Sequence, residues 1–260
     1  MRVLVTNDDG FDSPGLHALA EAVFAAGHDP MVVAPAADNS GCGGSIGSWA
    51  RGARIDFERA HLPSGMGATA VDGPPALCVI AACLGAFGRR PDAVVSGVNP
   101  GTNTGRAVLH SGTVAAALTA LTFGRPAVAV SLAVADVMRW DDAARLALAP
   151  LPWLAQQPRP LALSVNVPDL AVGPPLGVRA ASLADAGIVQ VTVADACEGS
   201  FELHMPAEMP LDPSSDTSLV LEGFVTVTLL AGLQRVGGDD QHLAAAMVAH
   251  AVDQEEAVPA

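Results

Sequence analysis

The sequence predicts an α/β fold: a mostly parallel sheet with helices on both faces, followed by a smaller β-rich C-terminal extension. Three observations predict it. Short apolar runs alternate with helical stretches through the first half of the chain, the pattern of βαβ units whose strands are buried on both faces. Several of these runs end in clusters of Asn, Asp, Ser and Gly, where ligands bind in such sheets. Beyond about residue 168 the helical stretches give way to strand-like runs joined by Gly- and Pro-rich turns.

Taken in order, residues 3–6 form the first strand and residues 16–26 the first helix. Ser13 is its N-cap, Pro14 opens it and Gly27 ends it. Residues 31–34 form a second strand closed by Pro35, and residues 36–49 a loop rich in Gly, Ser and Asn. A helix over 75–84, a strand over 93–96, a turn-rich stretch over 97–105, a helix over 114–122, a strand over 127–131 and a helix over 143–155 complete the pattern. Residues 1–168 are therefore expected to make the catalytic core. In the extension, 169–260, strands are expected within 178–193, 200–205 and 224–230, a loop over 209–216, a final helix over 241–252 and a frayed end from 254. Long paired strands projecting from a core suit oligomer contacts.

With 260 residues, half of them hydrophobic, the chain can bury a substantial core. Thirteen basic against 27 acidic residues give a net charge of -14, which does not suit binding to a nucleic-acid polymer. A small phosphorylated substrate remains compatible if a metal or backbone N–H groups supply local positive potential. The cysteines Cys42, Cys78, Cys83 and Cys197 show no CxxC spacing and suit reduced thiols in a cytoplasmic protein. The N-terminus runs directly into the first strand without a leader pattern. No apolar stretch reaches the roughly 20 residues that span a bilayer.

Four segments carry the chemistry. Asn7-Asp8-Asp9-Gly10 sets two adjacent carboxylates at a strand end; they repel unless a hard cation relieves them, although an acidic turn before a helix would look the same. Asp38-Asn39-Ser40-Gly41 follows the second strand: Ser40 offers a neutral oxygen to a metal and Gly41 leaves room for a ligand, on what is otherwise an ordinary loop. Asn99 and Asn103 lie in the glycine-rich stretch 96–105; amide carbonyls suit hard metals and amide N–H groups suit phosphate oxygens. This stretch is neither a Walker A loop nor a dinucleotide fingerprint. His110-Ser111-Gly112-Thr113 opens a helix, whose N-terminal N–H groups can cradle phosphate, or be capped by Ser111 in the ordinary way.

The succession NDDG, a Ser-Gly loop, SGxNxGxNxG and SGTV resembles the SurE (survival protein E) family of 5'/3'-nucleotidases and acid phosphatases. Residues 7–15 match that family's opening signature almost residue for residue. Further likeness lies in 124–131, in Asn166-Val167-Pro168, and from Asp216 to Phe224. The resemblance implies a Rossmann-like three-layer fold, hydrolysis of phosphomonoesters such as nucleoside monophosphates, one divalent ion (Mg or Mn) per subunit, and homodimers or homotetramers. It implies Asp8, Asp9, Ser40 and Asn99 as metal ligands and Asn103, Ser111, Gly112 and Thr113 as the phosphate-facing group, which Gly41, with its room for a ligand, is expected to join. Asp8 or Asp9 would orient the attacking water.

The chain departs from the family pattern at Ala36-Ala37-Asp38-Asn39, where arginines are usual, at Arg106 (often Asp), and at His110 (often Tyr). It departs again at residues 73–78 and 229–233. These departures fall on the substrate walls and the C-terminal region and point to a divergent member with altered preference. The alternatives are a phosphatase dedicated to one biosynthetic phosphate ester and a non-catalytic metal- or nucleotide-binding protein. His110 is the one histidine placed to serve as a general acid; the other six suit surface or packed positions.

Overall fold

The computed structural model describes residues 1–47, 52–185, 192–197, 199–204 and 211–232. The apolar runs assemble into one nine-stranded sheet. Its strands are β1 (Arg2–Thr6), β2 (Asp29–Pro35), β3 (Phe57–His61), β4 (Gly67–Val71), β5 (Ala93–Pro100), β6 (Ala127–Leu132), β7 (Ala162–Val167), β8 (Val178–Ala180) and β11 (Val225–Leu230). Their order is β3-β4-β2-β1-β5-β6-β7-β11-β8. The six strands from β4 to β7 are parallel, and β3 and β11 run antiparallel to them. Strands β9 (Thr192–Cys197) and β10 (Ser200–His204) form a separate antiparallel pair.

The layers follow from the period of the strand side chains, which alternate between faces. Val3 and Val5 of β1 pack on one face with α1 (Pro14–Ala25), α4 (Trp140–Leu148) and α5 (Leu151–Leu154). Leu4 packs on the other with α2 (Pro75–Leu84) and α3 (Gly112–Thr122). All three side chains are fully buried, each worth about 1.5–3 kcal/mol of transfer free energy. This is the expected three-layer α/β fold, with a sheet that is parallel at its centre. From β1 the chain moves outward through β2 to β4, then returns to β5 on the opposite side of β1. The strand order thus reverses between β1 and β5, and their C-terminal loops diverge around an open crevice.

Several elements differ from the expectation. The hairpin β3–β4 falls in a stretch without an apolar run: β3 reads Phe-Glu-Arg-Ala-His and lies largely exposed at the sheet edge. The helix expected over 143–155 starts at Trp140 and is divided into α4 and α5, because Pro150 and Pro152 lack the N–H groups that a continuous helix needs. A 3-10 turn over Gly105–His110 precedes α3, and a short helix α6 (Asp216–Leu221) follows the loop that was expected to run to 216. In the C-terminal region, β8 and β11 continue the main sheet. The helix over 241–252, the end from 254 and parts of 178–193 and 200–216 lie outside the described residues. Among the described residues, no helix is long and apolar enough to cross a membrane.

Candidate metal and phosphate site

The turn after β1 is built tightly. Asn7 is fully buried, and its amide donates to the Gly10 carbonyl at 3.1 Å, closing the turn. Gly10 has φ +95, and a Cβ there would lie 2.9 Å from the Ala37 carbonyl carbon. Glycine is needed for both the conformation and the close approach. The loop after β2 is thereby pinned against this turn: the Asn39 N–H donates to the Asp8 carbonyl at 2.7 Å, and the Phe11 N–H to the Pro35 carbonyl at 2.8 Å.

The start of α3 meets this turn from the other side of the switch point. The Thr113 hydroxyl donates to the Asp8 carboxylate and lies 3.4 Å from the Asn99 amide oxygen. A Cβ on Gly112 would sit 2.7 Å from both Cβ and Oδ2 of Asp8, so only glycine lets the helix approach so closely. Asn99, at the end of β5, is oriented by its amide, which donates to the Gly101 carbonyl at 2.7 Å and leaves its oxygen turned toward Thr113. The Gly43 N–H donates to the His110 carbonyl at 3.1 Å, joining the β2 loop to the turn before α3.

The electrostatics of this pocket are unfavourable without a counter-ion. Burial raises the Asp8 pKa above the usual carboxylate value, although the Thr113 hydroxyl and the N–H groups at the start of α3 favour its charge. Asp9 is pushed up to about 7 by burial first, then by the charges of Asp8 and Asp38. Its Oδ2 is buried and has no hydrogen-bond partner among the described residues. No group of three or more His, Cys, Asp or Glu suited to a metal exists among the described residues. The donors here are instead two carboxylates with amide and hydroxyl oxygens. A hard divalent cation fits that set: it takes oxygen ligands, relieves the carboxylate repulsion and satisfies the orphaned oxygen.

Asp8, Asn99, Gly112 and Thr113 are brought into one cluster, with Asp9 beside it. Ser40 is exposed, and its hydroxyl donates to Asp38 at 2.6 Å, which leaves its lone pairs available to a ligand. Gly41, with φ +76, has open space around it. The Ser111 oxygen caps α3 by accepting from the Val114 N–H at 3.1 Å. Asn103 is held further along, donating from its amide to the Ser131 hydroxyl at 2.9 Å while its backbone is clasped by the Asn166 amide. The His110 side chain is exposed.

Two supports escaped sequence reading. Thr113 holds Asp8, a role that its place in an N-capping segment did not signal. Asp216 is fully buried and accepts from the N–H groups of Gly105 (3.1 and 3.0 Å), Ala184 (3.0 Å) and Thr217 (2.8 Å). It ties α6 and the segment after β8 to the loop carrying Asn103.

Fold and site together define a Rossmann-like α/β protein with two adjacent carboxylates, the buried one of them held at a helix N-terminus, at the switch point of its sheet. Residues 3–190 match the family described as Survival protein SurE. The 5'-nucleotidase SurE of Xanthomonas axonopodis pv. citri is 44% identical over 189 residues, covering 70% of each chain. Its counterpart in Xanthomonas campestris pv. campestris is 43% identical over the same share. The crystal structure of the SurE protein from Aquifex aeolicus superposes with a TM-score of 0.71 at 26% identity, covering 89% of this chain and 93% of that one. The chain belongs to the SurE family.

Proposed function

We propose that the protein is a divalent-metal-dependent phosphatase that hydrolyses nucleoside monophosphates, with Mg or Mn held by Asp8, Asp9, Ser40 and Asn99. The reading rests on one observation above all: buried Asp8 is held by Thr113 at the start of α3 where the strand order reverses, with half-buried Asp9 beside it carrying a buried oxygen that has no partner among the described residues. The family relatives named 5'-nucleotidase SurE support the substrate class.

When bound, the ion supplies positive charge against the phosphoryl oxygens and lowers the pKa of a bound water. The chain's own residues do the rest. Thr113 fixes the Asp8 rotamer, and Asn99 is aimed by Gly101. Gly112 keeps the α3 N-terminus within reach of the pocket, where its N–H groups and the Asn103 amide offer donors to phosphate. Asp9 lies beside Asp8, close enough for their charges to interact, and its carboxylate is suited to orient the attacking water. The free thiols of Cys42, Cys78 and Cys83 suit a reducing, cytoplasmic setting, and the family resemblance suits a homodimer or homotetramer.

The test is a panel of nucleoside 5'- and 3'-monophosphates, sugar phosphates and p-nitrophenyl phosphate, assayed with Mn, with Mg and with EDTA. Metal-dependent turnover, highest on nucleotides and lost in Asp8→Ala, is expected. Turnover confined to a sugar phosphate would reassign the substrate. Metal binding without turnover on any ester would overturn the enzymatic reading.

A further inference from the structure

A second cavity, of about 310 Å³, opens at the opposite end of the sheet, where β1 and β2 begin. Its walls are apolar, including Met31, Val33, Ala68 and Phe87, and two arginines, Arg2 and Arg59, line it together with His61. All thirteen Lys+Arg residues of the chain are arginines, so the residue type alone says nothing here. Their placement does.

Arg59 is held in position. Its guanidinium lies 5.5 Å from the Phe57 ring centroid and 5.6 Å from that of Phe87, and the two rings meet edge to face at 5.3 Å. One N–H donates to the Thr69 hydroxyl at 2.9 Å. Among the described residues no carboxylate pairs with it, and a guanidinium carries five N–H donors. On the neighbouring side Arg2 has a buried Nε without a hydrogen-bond partner among the described residues. That nitrogen forms a long ion pair, at 3.7 Å, with the exposed carboxylate of Asp29. Asp92 is already engaged, by the Arg89 guanidinium at 2.6 Å and the Arg2 backbone N–H at 2.7 Å. Two arginines thus line one largely apolar cavity in a chain of net charge -14, with N–H donors left over. An anion answers the unused donors.

We infer that this cavity binds a small organic anion, a single planar ring bearing a carboxylate or phosphoryl group. The ring packs on the apolar wall and Phe87, and the acid group bridges Arg2 and Arg59. The volume sits at the lower end of the roughly 300–1,000 Å³ typical of small-molecule sites, room for one ring and its acid group. The five-residue strand β1, rising about 3.3 Å per residue, puts some 13 Å between Arg2 and Thr6. The cavity is therefore separate from the carboxylate pocket beyond Thr6.

The test uses the full chain in EDTA, titrated calorimetrically with benzoate and with phenylphosphonate, whose P–C bond no phosphomonoesterase cleaves. The two arms distinguish carboxylate from phosphoryl recognition. Saturable binding of at least one probe is expected. It should weaken about tenfold or more in Arg59→Ala and Arg2→Gln, the loss of one charge-assisted contact. Gly67→Leu is the second route: Gly67 lines the cavity and a Cβ there is accommodated without a clash, so leucine adds bulk at the wall with both arginines intact, and binding should again be lost. Metal-dependent phosphatase turnover should stay within about twofold of wild type in all three variants, since none touches the acid pair. Absence of saturation by either probe, or binding that survives all three substitutions, overturns the inference. Turnover is read separately, so failure here leaves the phosphatase reading standing, and the reverse.

Discussion

At the carboxyl ends of β1 and β2, the loops gather Asp8, Asp9 and Asp38 close enough that their charges act on one another. At the opposite ends of the same two strands and their hairpin neighbour, Arg2 and Arg59 face a common cavity. At the acidic end, burial of one carboxylate beside another costs free energy unless a partner of opposite charge arrives; at the basic end Arg59 is exposed and Arg2 is ion-paired with Asp29, so the cost is smaller. The two ends also differ in how their side chains are held. The acidic end is over-determined: Asn7, Asn39, Asn99 and Thr113 are all hydrogen-bonded into place, and Gly10 and Gly112 permit backbone approaches that no other residue allows. The basic end rests on two phenylalanine rings and one threonine hydroxyl. Precise support marks where bonds are to be made and broken, and looser support suits a site that only binds.

The largest expected effects break this comparison at its acidic end. Asp8→Ala removes a carboxylate and the acceptor of Thr113, and should lower turnover by roughly 10³-fold or more; Arg2→Gln, at the other end of the same strand, should change it less than twofold. Steady-state assays of the two variants side by side check this, and equal losses would mean the ends are not independent. Asp216→Ala strips the common acceptor from the N–H groups of Gly105, Ala184 and Thr217. Leaving buried donors unpaired should cost about 2–4 kcal/mol in urea unfolding, more than any single removal at the basic cavity.

Glycines sharpen the contrast at intermediate size. Gly112→Ala drives a Cβ to 2.7 Å from Asp8. Moving either the helix or the carboxylate should cost about 1–3 kcal/mol and close to 10²-fold in turnover. Gly67→Ala, at the basic end, meets nothing within 4 Å and should be neutral or stabilising by roughly 0.5 kcal/mol. Thermal unfolding with turnover on both variants distinguishes them.

The acidic end was far more legible in the sequence than the basic one. Asn7–Gly10, Asn99 and 111–113 stand as contiguous motifs at the ends of apolar runs, because a parallel sheet delivers each loop after a buried strand and βαβ patterning shows where the strands are. The three-layer fold followed from the same pattern. The basic cavity is assembled from single residues, Arg2, Arg59, Thr69 and Phe87, that come together only through the pairing of β3 with β4 and β4 with β2. An exposed edge strand such as β3 has no apolar run to announce it, so neither the strand nor its Arg59 could be read. Thr113 shows a subtler limit: the sequence located it at the α3 N-terminus, but only packing reveals that its hydroxyl turns to Asp8 rather than outward.

The smallest expected effect concerns pH, and it follows from the acidic end alone. Asp9 sits at about 7 in the folded chain, raised chiefly by burial, against an ordinary unfolded value of about 3.9. Between these values the folded state holds a proton that the unfolded state has released. Stability of the metal-free protein should therefore fall as pH rises from about 4 to about 7, and level off above. Asp9 is only half-buried, so solvent screening reduces the effect, and a decline of roughly 2–4 °C in unfolding temperature is expected over that window. Asp9→Asn, which cannot release a proton, should lose this component of the slope. Manganese should invert it, because the ion binds the ionised carboxylates and stabilises the fold more as they deprotonate. A metal-free unfolding temperature that rises from pH 4 to 7 equally in wild type and Asp9→Asn would show that Asp9 is not held in the unfavourable setting on which the charge asymmetry of the sheet depends.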